Sequence, residues 1–403
     1  MKKYILILST IFANNSALAN VENTKYQVAS DFNVKLGACT KFEVGGDRQS
    51  HLEKDLSTKK GGVLSYYDTE LSALISNNHE ELEYGAKIIL VSKKKKKNIP
   101  NYNGSHIFIK GKFGNIELGS PTPVAEKMKI GDGSVPFKYF KESTEYLKQK
   151  KEQDLSLLTG DGHLLGDDLR TINYYTPEFA LSDNTTKMQL GISYTSDSSN
   201  TGASSKPDKK EIGLSNLHRF EINKSVADAV TAGVKLEQKI SNDISLKFAL
   251  TGEYGKTKGK AEKYVSKDDK DPLKYNLAKL RSYNIGGELK FSDFIFNACY
   301  GNLGKSFTTP EFHKSGTKSH YYNVGIAYKY EKTTAKLSYF DSEQYKNKAN
   351  SVNLNISHIL VPGLKPYAEI SSYTLKGKPE FHSELKSKSA RGVVALLGFE
   401  LKL

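Results

Sequence analysis

Along most of this chain apolar residues return at every second position over about ten residues, a period that suits a strand wet on one side and not a helix. In the run Tyr322-Asn323-Val324-Gly325-Ile326-Ala327-Tyr328-Lys329-Tyr330, tyrosines bracket Val324 and Ile326, while Asn323, Gly325 and Lys329 take the other face. Met188, Leu190, Ile192 and Tyr194 alternate with Gln189, Gly191 and Ser193 in the same way. Ile244, Leu246, Phe248 and Leu250 repeat the pattern, as do Val352, Leu354, Ile356 and Leu360. This reading predicts strands at 31–43, 62–75, 81–92, 104–112, 115–120, 169–179, 186–196, 226–238, 243–255, 281–291, 293–301, 320–330, 333–341, 349–360, 364–376 and 391–402. They number sixteen, and bacterial barrels use even numbers. Segment 211–224 has room to extend a neighbouring strand.

The connections between these strands alternate in length. Every second one is short: Ser76–Glu80, Lys112–Gly114, Leu181–Thr185, Lys239–Asn242, Ser292, Glu331–Lys332 and Val361–Gly363. Several carry the Asn, Asp, Gly or Pro that tight turns favour. Those between them are longer and polar. A soluble β-sandwich has no reason to alternate in this way, whereas a membrane barrel does, with tight periplasmic turns and long outer loops. A soluble sandwich or adhesin is the competing reading.

The N-terminus names a compartment. Lys2 and Lys3 precede an apolar stretch from Tyr4 to Ala13 and the small-residue site Ala17-Leu18-Ala19. This order predicts a secretory signal peptide over 1–19, with residues 20–403 forming the exported domain. The apolar stretch is about half of the ~20 residues a spanning anchor helix needs. No later run approaches that length, so a membrane protein of this composition has to cross with strands. The charge is +14, and removing Lys2 and Lys3 leaves +12 on the exported part. Export excludes nucleic acid as the matching partner and leaves an anionic lipid surface. The Lys93–Lys97 run fits a loop touching lipopolysaccharide phosphates or a neighbouring subunit, and equally a solvated loop tip.

One connection, 121–168, is far longer than the rest, and loops of that length in a compact fold are usually functional. It opens Pro121-Thr122-Pro123. Phe137, Phe140, Leu147, Leu155 and Leu158 then recur at roughly helical spacing, which predicts a helix with an apolar stripe. The wall of a wide barrel offers that stripe a surface; the alternative is a loop lying outside on the membrane.

Three stretches resemble the general diffusion porins of Gram-negative bacteria. Gly111-Lys112-Phe113-Gly114-Asn115-Ile116-Glu117-Leu118-Gly119, followed by Pro121 and Pro123, is similar to the hairpin before that family's inward-folded third loop. Thr171-Ile172-Asn173-Tyr174-Tyr175-Thr176-Pro177-Glu178-Phe179 is similar to the strand after that loop, and the apolar C-terminal strand is also alike. Ser120 stands where the family often has a basic residue, Leu181 where a glycine is usual, and Leu403 where an aromatic is expected. The resemblance implies an all-β, 16-stranded antiparallel transmembrane β-barrel with an inward-folded long third loop. It also implies a homotrimer in the outer membrane, passing ions and small hydrophilic solutes by diffusion. The same scaffold without general pore activity, a surface antigen or adhesin, is the second reading. Candidate constriction residues are Glu126, Asp132, Glu142 and Glu145 on the loop, facing Lys35, Lys87 and Lys110 on the wall.

The rest of the sequence argues against catalysis. The nine histidines lack metal-ligand spacing, and no His-Glu-x-x-His, Cys-x-x-Cys, P-loop or Gly-x-Ser-x-Gly pattern occurs. Neither a metal nor a cofactor is expected. Cys39 and Cys299 point inward by parity, on strands too far apart around a barrel to meet the ~7 Å Cα limit of a disulfide. By the same parity the interior is nearly balanced, with Lys35, Lys87, Lys110, Lys247 and Lys329 against Glu70, Glu83, Glu237 and Glu288. Loop 121–168 holds seven lysines and nine acids, which assigns most of the positive excess to the other outer loops and not to an anion-selective lumen.

The mature chain is expected to start at Asn20, and N-terminal sequencing of outer-membrane material checks this. A start at Met1 would undo the assignment to an exported compartment.

Overall fold

The period of two becomes one closed sheet. The computed structural model describes residues 32–51, 63–92, 101–102, 104–131, 165, 169–181, 185–198, 210–214, 218–222, 225–264, 273–308, 319–344, 347–377 and 388–403. Within these, sixteen antiparallel staves follow one another around the barrel. The first eight are β1 Asn33–His51, β2 Val63–His79, β3 Leu82–Ser92, β4 His106–Gly111, β5 Gly114–Gly119, β6 Thr171–Tyr175, β7 Thr186–Asp197 and β8 Val226–Lys239. The second eight are β9 Ile244–Thr257, β10 Leu280–Phe291, β11 Phe294–Gly304, β12 Ser319–Tyr330, β13 Thr333–Gln344, β14 Asn347–His358, β15 Leu364–Gly377 and β16 Lys388–Lys402.

Each stave pairs with its sequence neighbours, and β1 pairs with β16 to close the ring, Lys41 opposite Glu400 and Glu43 opposite Gly398. Closure leaves no row of unpaired backbone groups, the condition for a sheet surrounded by hydrocarbon. Two staves have an extra piece. Asn101–Tyr102 pairs with β3 ahead of β4, and Phe179–Leu181 continues β6 after Pro177, which has no N–H for the ladder.

The sheet's two faces differ as the alternation demands. Ile192 is 50% exposed, while Ser193 beside it is 1% exposed. The register keeps like with like, since Ile192, Leu190 and Tyr194 lie opposite Ala232, Val234 and Val230. The apolar set faces out around the whole ring, through Leu250, Ile285, Val324, Leu354, Ile370 and Leu397. The opposite face is the lumen side, and its buried residues include Asn173, Thr231, Asn284, Asn323 and Asn353.

All sixteen expected strands are present, with shifted ends. β1 runs to His51 and not to 43, and β2 runs to His79, so the expected turn Ser76–Glu80 becomes Glu80–Glu81. Three tight turns place a residue other than glycine in left-handed backbone: Glu80 at φ 56°, Ser292 at 51° and Glu331 at 48°. Of these corners Ser292-Asp293 carries usual turn residues, whereas Glu80-Glu81 and Glu331-Lys332 do not. In the described part of segment 211–224, His218–Ile222 continues the line of β8: it pairs with Lys260–Tyr264 in the register of β8 with β9, Ile222 opposite Ala261 as Val226 is opposite Thr257. Lys210–Leu214 and Leu273–Asn276 flank this pair in a four-stranded antiparallel sheet. Cys39 and Cys299 are in no disulfide. The proposed signal peptide and the helix expected around Phe137–Leu158 lie outside the described residues.

Arginine at the outward position Ile326 is expected to cost about 2–4 kcal/mol and at Ile356, two residues from the end of β14, somewhat less, whereas arginine at Ser357 enters a wet lumen and costs little. Folding titrations into lipid vesicles measure the difference. Equal tolerance would mean that the faces are misassigned.

Candidate functional site

The site grows from the first residues of the long connection. After β5 the chain passes Pro121-Thr122-Pro123 and enters one short helix, α1, Val124–Met128. A helix leaves its first amide groups without intrahelical acceptors, and Pro123 supplies no side-chain cap. The lumen wall supplies it instead: the Val124 amide donates to Ser193 Oγ at 2.7 Å and the Ala125 amide to Thr231 Oγ1 at 3.2 Å. Ser193 on β7 and Thr231 on β8 are themselves 2.8 Å apart, hydroxyl to hydroxyl.

A second anchor is electrostatic. Glu117 on β5 is buried, and Lys127 Nζ lies 2.5 Å from its Oε1. Asn115 donates to the same oxygen at 3.1 Å. Asn173 on β6 donates to Glu117 Oε2 at 3.0 Å and to the Thr122 carbonyl at 2.9 Å, tying wall to loop. The Lys127 ammonium also sits 4.8 Å above the Tyr175 ring. Both carboxylate oxygens of the buried Glu117 therefore have partners, as a desolvated charge requires.

The third anchor is close packing. Val124, Met128 and Tyr175 form a small buried apolar cluster. A side chain at Gly191 on β7 would meet Met128 Sδ at 2.7 Å. At Gly286 on β10 an added methyl would run into the Ile130 carbonyl oxygen, and beyond it Gly131 lies against Ala298 and Cys299 of β11. The wall at these positions is bare backbone, which lets the loop backbone lie directly on it. The described part of the loop, 121–131, thus follows the inner face from β6 towards β11.

Leu165, near the other end of the connection, is also held. Its amide donates to Glu253 Oε1 on β9 at 3.0 Å, and Ser282 donates to the other carboxylate oxygen at 2.5 Å. Leu165 and Leu169 are buried in one apolar cluster with Val226, Leu277, Leu280 and Phe307.

Of the expected constriction residues, Glu126, Lys35, Lys87 and Lys110 lie among the described residues, and no contact joins Glu126 to these lysines there. Glu126 is present, but it pairs with Lys129 on its own loop at 3.1 Å. Asp132, Glu142 and Glu145 lie outside the described residues. Lys110 on β4 is exposed and lies 3.6 Å from Glu83. Lys87 on β3 is half-buried opposite His106 and Leu74, and Lys35 on β1 is exposed. Sequence reasoning missed Glu117, Lys127, Asn173, Ser193 and Thr231. Parity could have flagged Asn173, Ser193 and Thr231 as inward polar groups, yet nothing local says which of them a distant loop will reach. Among the described residues no group of His, Cys, Asp and Glu gathers as metal ligands do.

The sequence matches the family model for Gram-negative porins over residues 10–378. The chain belongs to the Gram-negative porin family. It is an outer-membrane channel protein. Relatives over the full length of both chains include uncharacterised proteins of Rickettsia bellii, at 32% identity, and of Rickettsia conorii, at 33%. Solved structures share the barrel at low identity. The anion-selective porin of Comamonas acidovorans superposes with a TM-score of 0.54 at 14% identity, over 93% of this chain and 100% of that one. The channel DcaP of Acinetobacter baumannii gives 0.53 at 13%, over 93% and 98%.

Gly286→Ala is expected to destabilise this porin by about 1–3 kcal/mol, because the Ile130 backbone has to move aside. Gly287 beside it faces the other way, with its nearest neighbour at 3.4 Å, so Gly287→Ala should stay within about 0.5 kcal/mol. Denaturant midpoints of the vesicle-folded variants measure both, and equal midpoints would show that the loop does not press on this wall.

Proposed function

We propose that this porin is a water-filled channel for passive diffusion of ions and small hydrophilic solutes, without catalysis, and that loop 121–168 folds inward and narrows it. The observation that carries this reading is the seating of residues 121–131 on the lumen wall, through Ser193, Thr231 and Glu117. A loop tied down on the inner face at both of its described ends has the lumen as its shortest path. Glu126, Asp132, Glu142 and Glu145 are the acids proposed to face Lys35, Lys87 and Lys110 across the constriction. Opposed charges order water across the pore, which eases polar solutes through more than apolar ones of equal size.

Export by a signal peptide over residues 1–19, contact of the outer loops with lipopolysaccharide and assembly as a homotrimer belong to the same proposal. For the trimer, the support is family membership and a trimer form of OmpT from Vibrio cholerae, which is similar to this chain with a TM-score of 0.50 at 12% identity.

Purified protein in a planar bilayer is expected to open in stable steps, and deleting most of 125–160 is expected to raise single-channel conductance and the solute size cutoff. Wild-type conductance after the deletion would put the loop outside the lumen. A silent bilayer would favour a surface antigen or adhesin on the same scaffold.

A further inference from the structure

The lumen's charge is close to balance in total but not along its length. At the end of the barrel that carries the short turns, each inward carboxylate already has a lysine. Glu237 is 2.5 Å from Lys235, Glu288 is 2.9 Å from Lys247, and Glu83 is 3.6 Å from Lys110. Glu400 is shared, with Lys365 at 2.9 Å and Lys402 at 3.0 Å. Four further inward lysines at this end, Lys35, Lys239, Lys290 and Lys329, are exposed and have no carboxylate within 4.0 Å among the described residues. Lys239, Lys290 and Lys329 each stand within two residues of a turn, and outward aromatics flank two of them: Phe291 follows Lys290, and Tyr328 and Tyr330 bracket Lys329.

Three inward acids farther from the turns accept from neutral donors. Glu43 accepts from the Tyr367 hydroxyl, Glu253 from Ser282, and Glu369 from Asn355 and Ser371. Inward lysines therefore outnumber inward carboxylates at this mouth, while the turns themselves add the exposed acids Glu80, Asp243, Asp293 and Glu331.

We infer that the short-turn mouth is an electropositive ring that draws in small hydrated anions, inorganic phosphate and chloride among them, and that it gives the channel a preference for anions, which the charge count of the sequence does not assign to its lumen. The inference rests on the channel reading above. A ring of lysines raises the local concentration of counter-ions before any constriction is reached. Its reach is the Debye length, about 10 Å at 0.1 M salt and about 3 Å at 1 M. The effect should therefore appear in dilute salt and fade in concentrated salt.

The test is the zero-current potential of the full-length protein in planar bilayers under a potassium chloride gradient. The wild type is expected to pass chloride over potassium in dilute salt and to approach equal permeability near 1 M. The triple variant Lys239→Glu, Lys290→Glu, Lys329→Glu should lower the chloride-to-potassium ratio by about threefold or more, and the Lys→Gln version should lie between it and the wild type. Reversal of Lys256, which is exposed and pairs with Asp228 at 3.3 Å away from these turns, should leave the ratio unchanged. Wild-type openings that favour potassium would overturn the inference, as would a ratio that ignores both triple variants, and in either case the channel reading stands. A wild type that never opens overturns both.

Discussion

A backbone amide placed in hydrocarbon without an acceptor has nothing else to bond, and a strand spanning a bilayer carries a row of them. Only a sheet that returns to its own first strand satisfies every such group. Here the return is the pairing of β1 with β16, from Cys39 opposite Lys402 to His51 opposite Ala390. Everything else follows from that ring. The outward residues can be leucine, isoleucine and tyrosine because they face lipid, and the inward ones can be asparagine, serine and threonine because they face an enclosed wet space. An open sheet with the same alternation would have two hydrophobic-flanked margins ready to pair with any chain that came near.

The polar inner face also decides where the first residues of the long connection, 121–131, rest. Ser193 and Thr231 are hydroxyls on neighbouring staves, and α1 begins with two amides that lack acceptors. The match is local chemistry and needs no specific sequence beyond a helix start. Glu117 adds direction: a buried carboxylate needs a cation and several donors, and Lys127, Asn115 and Asn173 converge on it. Bare backbone at Gly191 and Gly286 then allows the loop to lie close along the wall.

The barrel was legible because its code is short-range. Each stave announces itself by alternation, as Tyr322 to Tyr330 does, and the neighbour rule follows from antiparallel order. The errors came where alternation stops. Beyond Val44, β1 continues as Gly45-Gly46-Asp47-Arg48, with no apolar residues to mark it, because there the ladder and not the lipid defines the strand. The candidate site was less legible. Glu126 pairs with Lys129, three residues on, a contact within the loop that no hydrophobic period marks. Glu117 and Lys127 are ten residues apart, but they meet only because the chain turns inward after Pro121, and that turn is not written in the period of either segment.

The small sheet formed by Lys210–Leu214, His218–Ile222, Lys260–Tyr264 and Leu273–Asn276 joins two connections that sequence keeps apart. Loops on a barrel ordinarily drift independently, each free to lengthen or change without disturbing its neighbour. These two are bonded through the ladder between His218–Ile222 and Lys260–Tyr264, so a change of length in one shifts the register of the other. An antibody or other binding protein that recognises this sheet reads both segments at once. A linear peptide copied from either segment alone would present half of the epitope.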